Sequence, residues 1–180
     1  MEGALLLAAL FLGWLLDFRP TQNLWWDWAD FGYGLLATVP ILFMLAAALL
    51  YSGSGIQQLC EFVRDTLGPF LSRCHTVDLL LLAMLAGLCE EILFRGLLYG
   101  WISGFDQGLA IIIANAAFGL AHLVTPLYAF LAAIAGLYLT ALLVVDPSPN
   151  LLIPITAHTT YDFIAFLIVV RDFRQHVNKE

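Results

Sequence analysis

The stretch LAGLCEEILFRGLLYG, residues 85–100, places two glutamates and one arginine inside an otherwise apolar segment. From residue 79 to residue 101, Glu90, Glu91 and Arg95 are the only charged residues. On insertion scales, a charged side chain at the centre of a membrane helix costs roughly 2.5–3.5 kcal/mol. Three such side chains must therefore contact one another or face a hydrated cavity. The stretch predicts a polar site within a membrane-embedded helix.

The composition of the whole chain is typical of an integral membrane protein. Of its 180 residues, 62% are hydrophobic and 12% are charged, and the mean hydropathy is +0.90. Soluble domains carry about 25% charged residues, and several apolar runs here approach the ~20 residues that a spanning helix needs. The formal net charge of −7 argues against nucleic-acid binding, which requires a basic surface.

About six membrane spans and one amphipathic helix are predicted along the chain. The spans are expected at residues 3–18, 31–51, 79–101, 108–124, 127–145 and 151–170. Residues 56–71 differ, because their apolar side chains recur at helical spacing while charged side chains take the other face. This pattern indicates a helix lying on the membrane that ends near Gly68 and Pro69, although a soluble partner-binding helix is an alternative. We therefore expect an all-α, polytopic transmembrane bundle that forms one domain, residues 1–180.

Small residues predict close helix packing in the fourth and fifth spans. Residues 108–124 and 127–145 are rich in alanine and glycine. Because small side chains let helix backbones approach each other in lipid, we expect these spans to pack closely against neighbouring helices.

The distribution of basic residues predicts the orientation in the membrane. With six spans, both termini and the loop at 52–78 lie on the same side. That side carries five cations, Arg64, Arg73, Arg171, Arg174 and Lys179. The first loop on the opposite side carries Arg19. The positive-inside rule then places both termini in the cytoplasm, and the compact chain favours a prokaryotic plasma membrane.

Helical spacing separates the three charged residues of the opening stretch into a pair and a single group. Glu91 and Arg95 are four residues apart, so they lie on one helix face and can form an ion pair. Glu90 is turned about 100° away from Glu91 and remains available for other chemistry. A carboxylate held in such a site is a candidate general base.

Two histidines in other spans extend this cluster. His122 lies near the end of the fourth span, and His158 lies in the sixth, with Asp162 one turn later on the same face. Asp162 can hold His158 in one tautomer or stabilise its charged form. A single buried histidine is commonly structural, but polar groups on three spans form a set without an evident structural purpose. In the predicted spans, the depths of the two histidines differ by roughly 9 Å, which helix tilt and shifted boundaries must remove.

These residues resemble the motifs of the CPBP family, the CAAX-protease and bacteriocin-processing (Abi) intramembrane peptidases, which include type II CAAX prenyl endopeptidases. The family motifs EExxxR, FxxxH and HxxxN/D are matched in order by Glu90, Glu91 and Arg95, by Phe118 and His122, and by His158 and Asp162. The resemblance covers residues 90–162 and implies an endopeptidase that cleaves a membrane protein or lipidated peptide in the bilayer.

The resemblance also implies roles for the polar residues. Glu90 and His122 would activate a water, and His158 with Asp162 would stabilise the oxyanion. Many members have asparagine at the last position, and an ionised aspartate cannot donate a hydrogen bond. Asp162 would therefore act when protonated or through the charge of His158.

The metal requirement is open at this stage, because both a metalloprotease and a metal-free, glutamate-dependent mechanism are proposed for the family. A catalytic zinc takes about three protein ligands, which Glu90, His122 and His158 would supply. The chain has no HExxH motif, so the sequence does not require zinc.

Two other functions fit a polar cluster in a membrane protein. Intramembrane acids and histidines also relay protons in transporters, although no inverted repeat is visible in this sequence. A non-catalytic scaffold or immunity protein would use the same residues only to hold helices together.

Overall fold

The structure, a computed structural model, describes residues 2–51, 53–145 and 147–178, and within these ranges the regular secondary structure is helical, with no strand. Its α-helices are α1 (Glu2–Leu15), α2 (Trp28–Leu50), α3 (Ser54–Leu71), α4 (Thr76–Glu91), α5 (Gly100–Ser103), α6 (Gln107–Ala121), α7 (Pro126–Val144) and α8 (Leu152–Val177). A π-helix, Ile92–Tyr99, joins α4 to α5 without a break. The predicted all-α bundle is thus confirmed for these ranges.

All six predicted spans correspond to helices. By length and apolar composition, α2, α7 and α8 are long enough to cross a membrane, whereas α1 and α6 are apolar but have only 14 and 15 residues. The third predicted span is the rod formed by α4, the π-helix and α5. The sixth is longer than expected, since α8 continues to Val177 instead of ending near residue 170.

The amphipathic segment is a helix, but it does not end at Gly68 and Pro69 as expected. Pro69 lies inside α3, which continues to Leu71. A proline removes one backbone donor, and so close to the helix end this loss affects few bonds. Leu71 is buried with Leu79 and Val170, and this packing holds the last turn of α3 in place.

The start of α8 lies beneath the first long loop of the chain. The Asn150 side chain is fully buried and donates hydrogen bonds to the Trp25 carbonyl at 3.0 Å and to Asp30 Oδ2 at 2.7 Å. The Leu151 backbone N–H donates to the Asn23 carbonyl at 2.7 Å. As a result, every residue from 151 to 158 is buried.

Glycines allow two close helix contacts around the polar residues. A Cβ on Gly119 of α6 would lie 2.7 Å from the Ala129 carbonyl and 2.9 Å from the Ala133 Cβ on α7, so these two helices pack closely against each other at small residues. A Cβ on Gly87 of α4 would lie 2.5 Å from Thr159 Oγ1 on α8. Since glycine has no Cβ, the backbones can approach each other and bring α4 next to α8.

Candidate active site

The predicted ion pair between Glu91 and Arg95 is present at the centre of the bundle. Arg95 Nη1 donates to Glu91 Oε1 at 2.8 Å, and neither side chain is exposed. Arg95 lies in the π-helix, a rare form that occurs mostly at functional sites. Its guanidinium also donates to the Gly136 carbonyl at 2.7 Å and to Thr140 Oγ1 at 3.4 Å. Arg95 therefore fixes α7 against the π-helix.

His158 is held between two carboxylates. Its Nδ1 lies 2.8 Å from Glu91 Oε1, and its Nε2 lies 3.5 Å from Asp162 Oδ2. The expected partner, Asp162, is therefore the more distant one, and Glu91 is shared between Arg95 and His158. This sharing across helices was not predicted. A histidine with a carboxylate oxygen at each ring nitrogen has acceptors for two N–H donors, which is the pattern of the charged imidazolium.

Glu90 and His122 face each other on the more accessible side of the cluster. Glu90 Oε2 lies 3.7 Å from His122 Nε2, and the two side chains are 12% and 23% exposed. His122 Nδ1 lies 2.8 Å from the Phe118 carbonyl. Because a carbonyl oxygen only accepts, the proton of neutral His122 belongs on Nδ1. The lone pair of Nε2 is then directed towards Glu90.

The Phe118 ring lies at the point where the three motifs meet. Its centroid is 4.5 Å from the His122 ring and 6.0 Å from the His158 ring, and Arg95 Cζ lies 4.4 Å from it. Both histidine rings therefore lie next to the same phenylalanine ring, His122 as the C-terminal cap of α6 and His158 in the buried first part of α8.

The cluster has a closed part and an accessible part. Glu91 and Arg95 have no exposed side-chain surface, whereas Glu90, His122 and Asp162 are partly exposed, with Asp162 at 18%. The second group, together with His158 at 8% exposure, forms the part of the cluster that a ligand could reach in this conformation. Glu91 and Arg95 act on it through the residues they hold.

The side chains do not form a metal-binding group as they are arranged. Within the described ranges, no set of three or more His, Cys, Asp or Glu side chains has the arrangement to hold a metal ion. The Nδ1 atoms of His122 and His158 face the Phe118 carbonyl and Glu91, which leaves their Nε2 atoms as the ring nitrogens that could bind a metal. Zinc binding by Glu90, His122 and His158 therefore stays a prediction.

Two polar residues of the site were missed in the sequence. The Thr140 hydroxyl of α7 donates to Asn115 Oδ1 of α6 at 3.1 Å, and Asn115 Nδ2 donates to the Ile111 carbonyl at 2.7 Å. Both side chains are buried. Asn115 carried a usable signal, since an amide within the apolar run AIIIANAAFG needs a hydrogen-bond partner. Threonine is common in membrane helices, so Thr140 carried no such signal in the sequence.

Comparison with known protein families gives one result that bears on this site. Residues 73–164 match the family model described as type II CAAX prenyl endopeptidase Rce1-like. The matched region is just over half of the chain and contains the whole cluster from Glu90 to Asp162. No curated protein and no solved structure matches the chain.

Proposed function

The chain belongs to the Rce1-like family of type II CAAX prenyl endopeptidases, and we propose that it hydrolyses peptide bonds with a water activated by Glu90 and His122. The family supports a CAAX-type intramembrane protease. The finer assignment of residues to chemical steps rests on the arrangement of the side chains.

The observation that carries the mechanism is the 3.7 Å separation between Glu90 Oε2 and His122 Nε2. This distance is too long for a direct hydrogen bond, and a water placed between the two atoms could donate one hydrogen to each. Glu90 Oε2 has almost no accessible surface in this conformation, so in this scheme the side chains shift to admit the water. Glu90 accepts a proton from that water as it attacks the peptide carbonyl, and the proton then passes to the leaving amine. His122, with its proton on Nδ1, accepts the second hydrogen bond of the water at Nε2.

His158 supplies the positive charge for the oxyanion. Its Nδ1 is bound tightly to Glu91, whereas its Nε2 is only 3.5 Å from Asp162. The Nε2–H can be shared between Asp162 and an oxygen that becomes negative in the transition state, and such a prepared donor stabilises the tetrahedral intermediate. In this scheme Asp162 balances the charge of His158 and does not itself donate, which accounts for aspartate in place of asparagine.

The proposed substrate is a membrane-associated protein or lipidated peptide. The exposed surface of α2 and α7 is apolar, so the lipid tail of a prenylated peptide has a compatible route to the site. The steps above are assigned to Glu90, His122 and His158 without a metal ion, and the chelation experiment below tests this part of the proposal.

The test is cleavage of a prenylated CAAX peptide by the purified chain in detergent or in liposomes. We expect Glu90→Gln and Glu90→Ala to lower kcat by at least about a hundredfold, the lower range for loss of a general base. Glu61→Gln, on the exposed face of α3, is the matched control and keeps full activity. Each protein is assayed with and without a strong metal chelator.

The outcomes separate the competing functions. Full activity of Glu90→Ala would refute the mechanism, and activity lost on chelation and regained with zinc would replace it with a metalloprotease. Absence of cleavage by the wild type, together with flux across liposomes that depends on Glu90, would favour a transporter instead.

A further inference from the structure

A buried chain of hydrogen bonds connects five helical segments and ends at His158. It begins on α6, where Asn115 accepts from the Thr140 hydroxyl of α7 at 3.1 Å. Thr140 Oγ1 in turn accepts from Arg95 Nε at 3.4 Å. Arg95 and His158 both donate to Glu91 Oε1 at 2.8 Å. The chain thus passes from α6 through α7 and the π-helix to α4 and α8.

Every link of this chain is used in the only direction that its chemistry allows. Arg95 can only donate, so the Thr140 oxygen must accept from it, and the single hydroxyl proton of Thr140 is then directed to Asn115 Oδ1. The Asn115 amide nitrogen donates to the Ile111 carbonyl one turn earlier, which fixes the amide. A chain in which each group has one possible role has one preferred geometry.

None of the outer members of the chain can contact a substrate. Asn115 is 6% exposed, and Thr140 and Arg95 are each 1% exposed. Any effect that they have on catalysis must therefore pass through the residues that they hold.

We propose that Thr140 and Asn115 are positioning residues of the active site: through Arg95 and Glu91 they set the orientation of the His158 imidazole. The assignment deepens the proposed peptidase activity and rests on it for its catalytic consequence. Without the Thr140 oxygen, the Arg95 Nε–H loses its acceptor inside an apolar bundle. The guanidinium then turns to find another acceptor, and the Glu91 oxygen that holds His158 Nδ1 moves with it.

Gly136 supports the same geometry from the backbone. Its carbonyl accepts from Arg95 Nη2 at 2.7 Å. A Cβ at this position would lie 2.9 Å from Asn115 Oδ1 and 3.0 Å from both Arg95 Nη2 and Phe118 Cδ1. Gly136→Ala keeps every hydrogen-bonding group of the chain but displaces its members, so it tests the coupling independently of any deleted hydroxyl.

The experiment compares Thr140→Val with Thr140→Ser in the whole 180-residue protein. Valine removes the hydroxyl at nearly constant volume, and serine restores it. The control is Thr38→Val, because Thr38 is equally buried at 1% but its hydroxyl contacts the carbonyls of Gly34 and Ala157 and not the Arg95 chain. We expect Thr140→Val to lower kcat about tenfold, the equivalent of one hydrogen bond to a charged group, with KM unchanged. Thr140→Ser and Thr38→Val keep a kcat near that of the wild type.

A spectroscopic readout keeps the positioning role separate from the peptidase activity. In 15N-histidine-labelled protein, Thr140→Val and Gly136→Ala are expected to shift the ring resonances of His158, which are assigned with His158→Gln. Thr38→Val is expected to leave them in place. If the His158 resonances shift but the wild type shows no measurable peptidase activity, the result would support the coupling and would contradict only the proposed function. An unchanged kcat together with unshifted His158 resonances in both Thr140→Val and Gly136→Ala would overturn the inference.

Discussion

Glu90 and Glu91 are neighbours in the sequence but have different surroundings. Glu91 has no exposed surface and accepts from two positively charged partners, Arg95 and His158. Glu90 is partly exposed and lies opposite His122 across a gap of 3.7 Å. Because successive residues on a helix differ in direction by about 100°, one glutamate serves the interior of the bundle and the other serves the accessible site.

This difference predicts that substitutions of the two glutamates affect stability to different extents. Glu91→Ala leaves the charge of Arg95 buried without its carboxylate, and removal of one partner from a buried pair typically costs about 3–5 kcal/mol. Glu90→Gln keeps the shape of the side chain and leaves the hydrogen bond between Glu91 and Arg95 in place. Thermal unfolding in detergent should show a large drop in the midpoint for Glu91→Ala and a midpoint near that of the wild type for Glu90→Gln. Equal drops for the two variants would show that the glutamates share one role.

The sequence predicted the pairs within one helix better than the contacts between helices. The bond from Arg95 to Glu91 follows from a spacing of four residues, which holds wherever the helix lies. The bond from His158 to the same oxygen joins α8 to α4, and it depends on Gly87 and on the buried start of α8. Such contacts are set by packing, so no spacing in the sequence announces them.

At the scale of helices, the π-helix brings its backbone very close to the first loop. A Cβ added to Gly96, within Ile92–Tyr99, would collide with the carbonyl oxygen of Pro20. Glycine is required here by contact and not by an unusual dihedral angle, since no glycine in the described ranges has a positive φ.

We therefore predict that Gly96→Ala destabilises the protein. Overpacking against a backbone atom typically costs about 1–3 kcal/mol. The control is Gly32→Ala in α2, where a Cβ would have no neighbour within 4 Å and alanine has the higher helix propensity. In chemical denaturation, the denaturant concentration at the unfolding midpoint should be lower for Gly96→Ala than for the wild type. For Gly32→Ala it should be unchanged or higher. An unchanged midpoint for Gly96→Ala would mean that the loop around Pro20 moves away from the added Cβ at little cost in free energy.

The amphipathic helix α3 offers a test that does not depend on catalysis. Partial burial raises the pKa of the Cys60 thiol, and the nearby Asp172 and Glu61 carboxylates raise it further. The thiolate is the reactive form, so Cys60 should react slowly with maleimide at pH 7 and faster as the pH rises. Measured with Cys74→Ser and Cys89→Ala in the background, Asp172→Asn should accelerate labelling, because loss of the negative charge lowers the pKa. An unchanged labelling rate would mean that Asp172 is too far from the Cys60 thiol to affect its pKa.

At the scale of the whole molecule, the loops gather at two ends of the bundle. At the first end, Asn150 binds the loop that contains Trp25, as described above. At the second end, Arg174 of α8 donates to the Ser72 carbonyl at 3.0 Å, and Gly55 of α3 lies against Leu127 at the start of α7. His122 ends α6 and precedes the loop to α7, so the accessible part of the active site belongs to this second end.

The distribution of charge assigns a membrane side to each end. Arg64, Arg73, Arg171 and Arg174 all lie at the second end, and Arg19 lies at the first, whereas the fifth predicted cation, Lys179, is outside the described residues. By the positive-inside rule, we predict that the second end is cytoplasmic, in which case the catalytic water and the peptide portion of a substrate would enter from the cytoplasm.

Sided cysteine labelling in intact cells tests this orientation. In a background without the native cysteines, Thr21→Cys is exposed in the loop of the first end, and Gln57→Cys is exposed on α3 at the second. A membrane-impermeant maleimide should label Thr21→Cys in intact cells and Gln57→Cys only after permeabilisation. The reverse pattern would place the active site on the outside, and labelling of both positions in intact cells would show that α3 is not confined to the cytoplasmic surface. Because the orientation follows from charge alone, exchanging the basic residues of the two ends should reverse the labelling without disturbing the buried chain from Asn115 to His158.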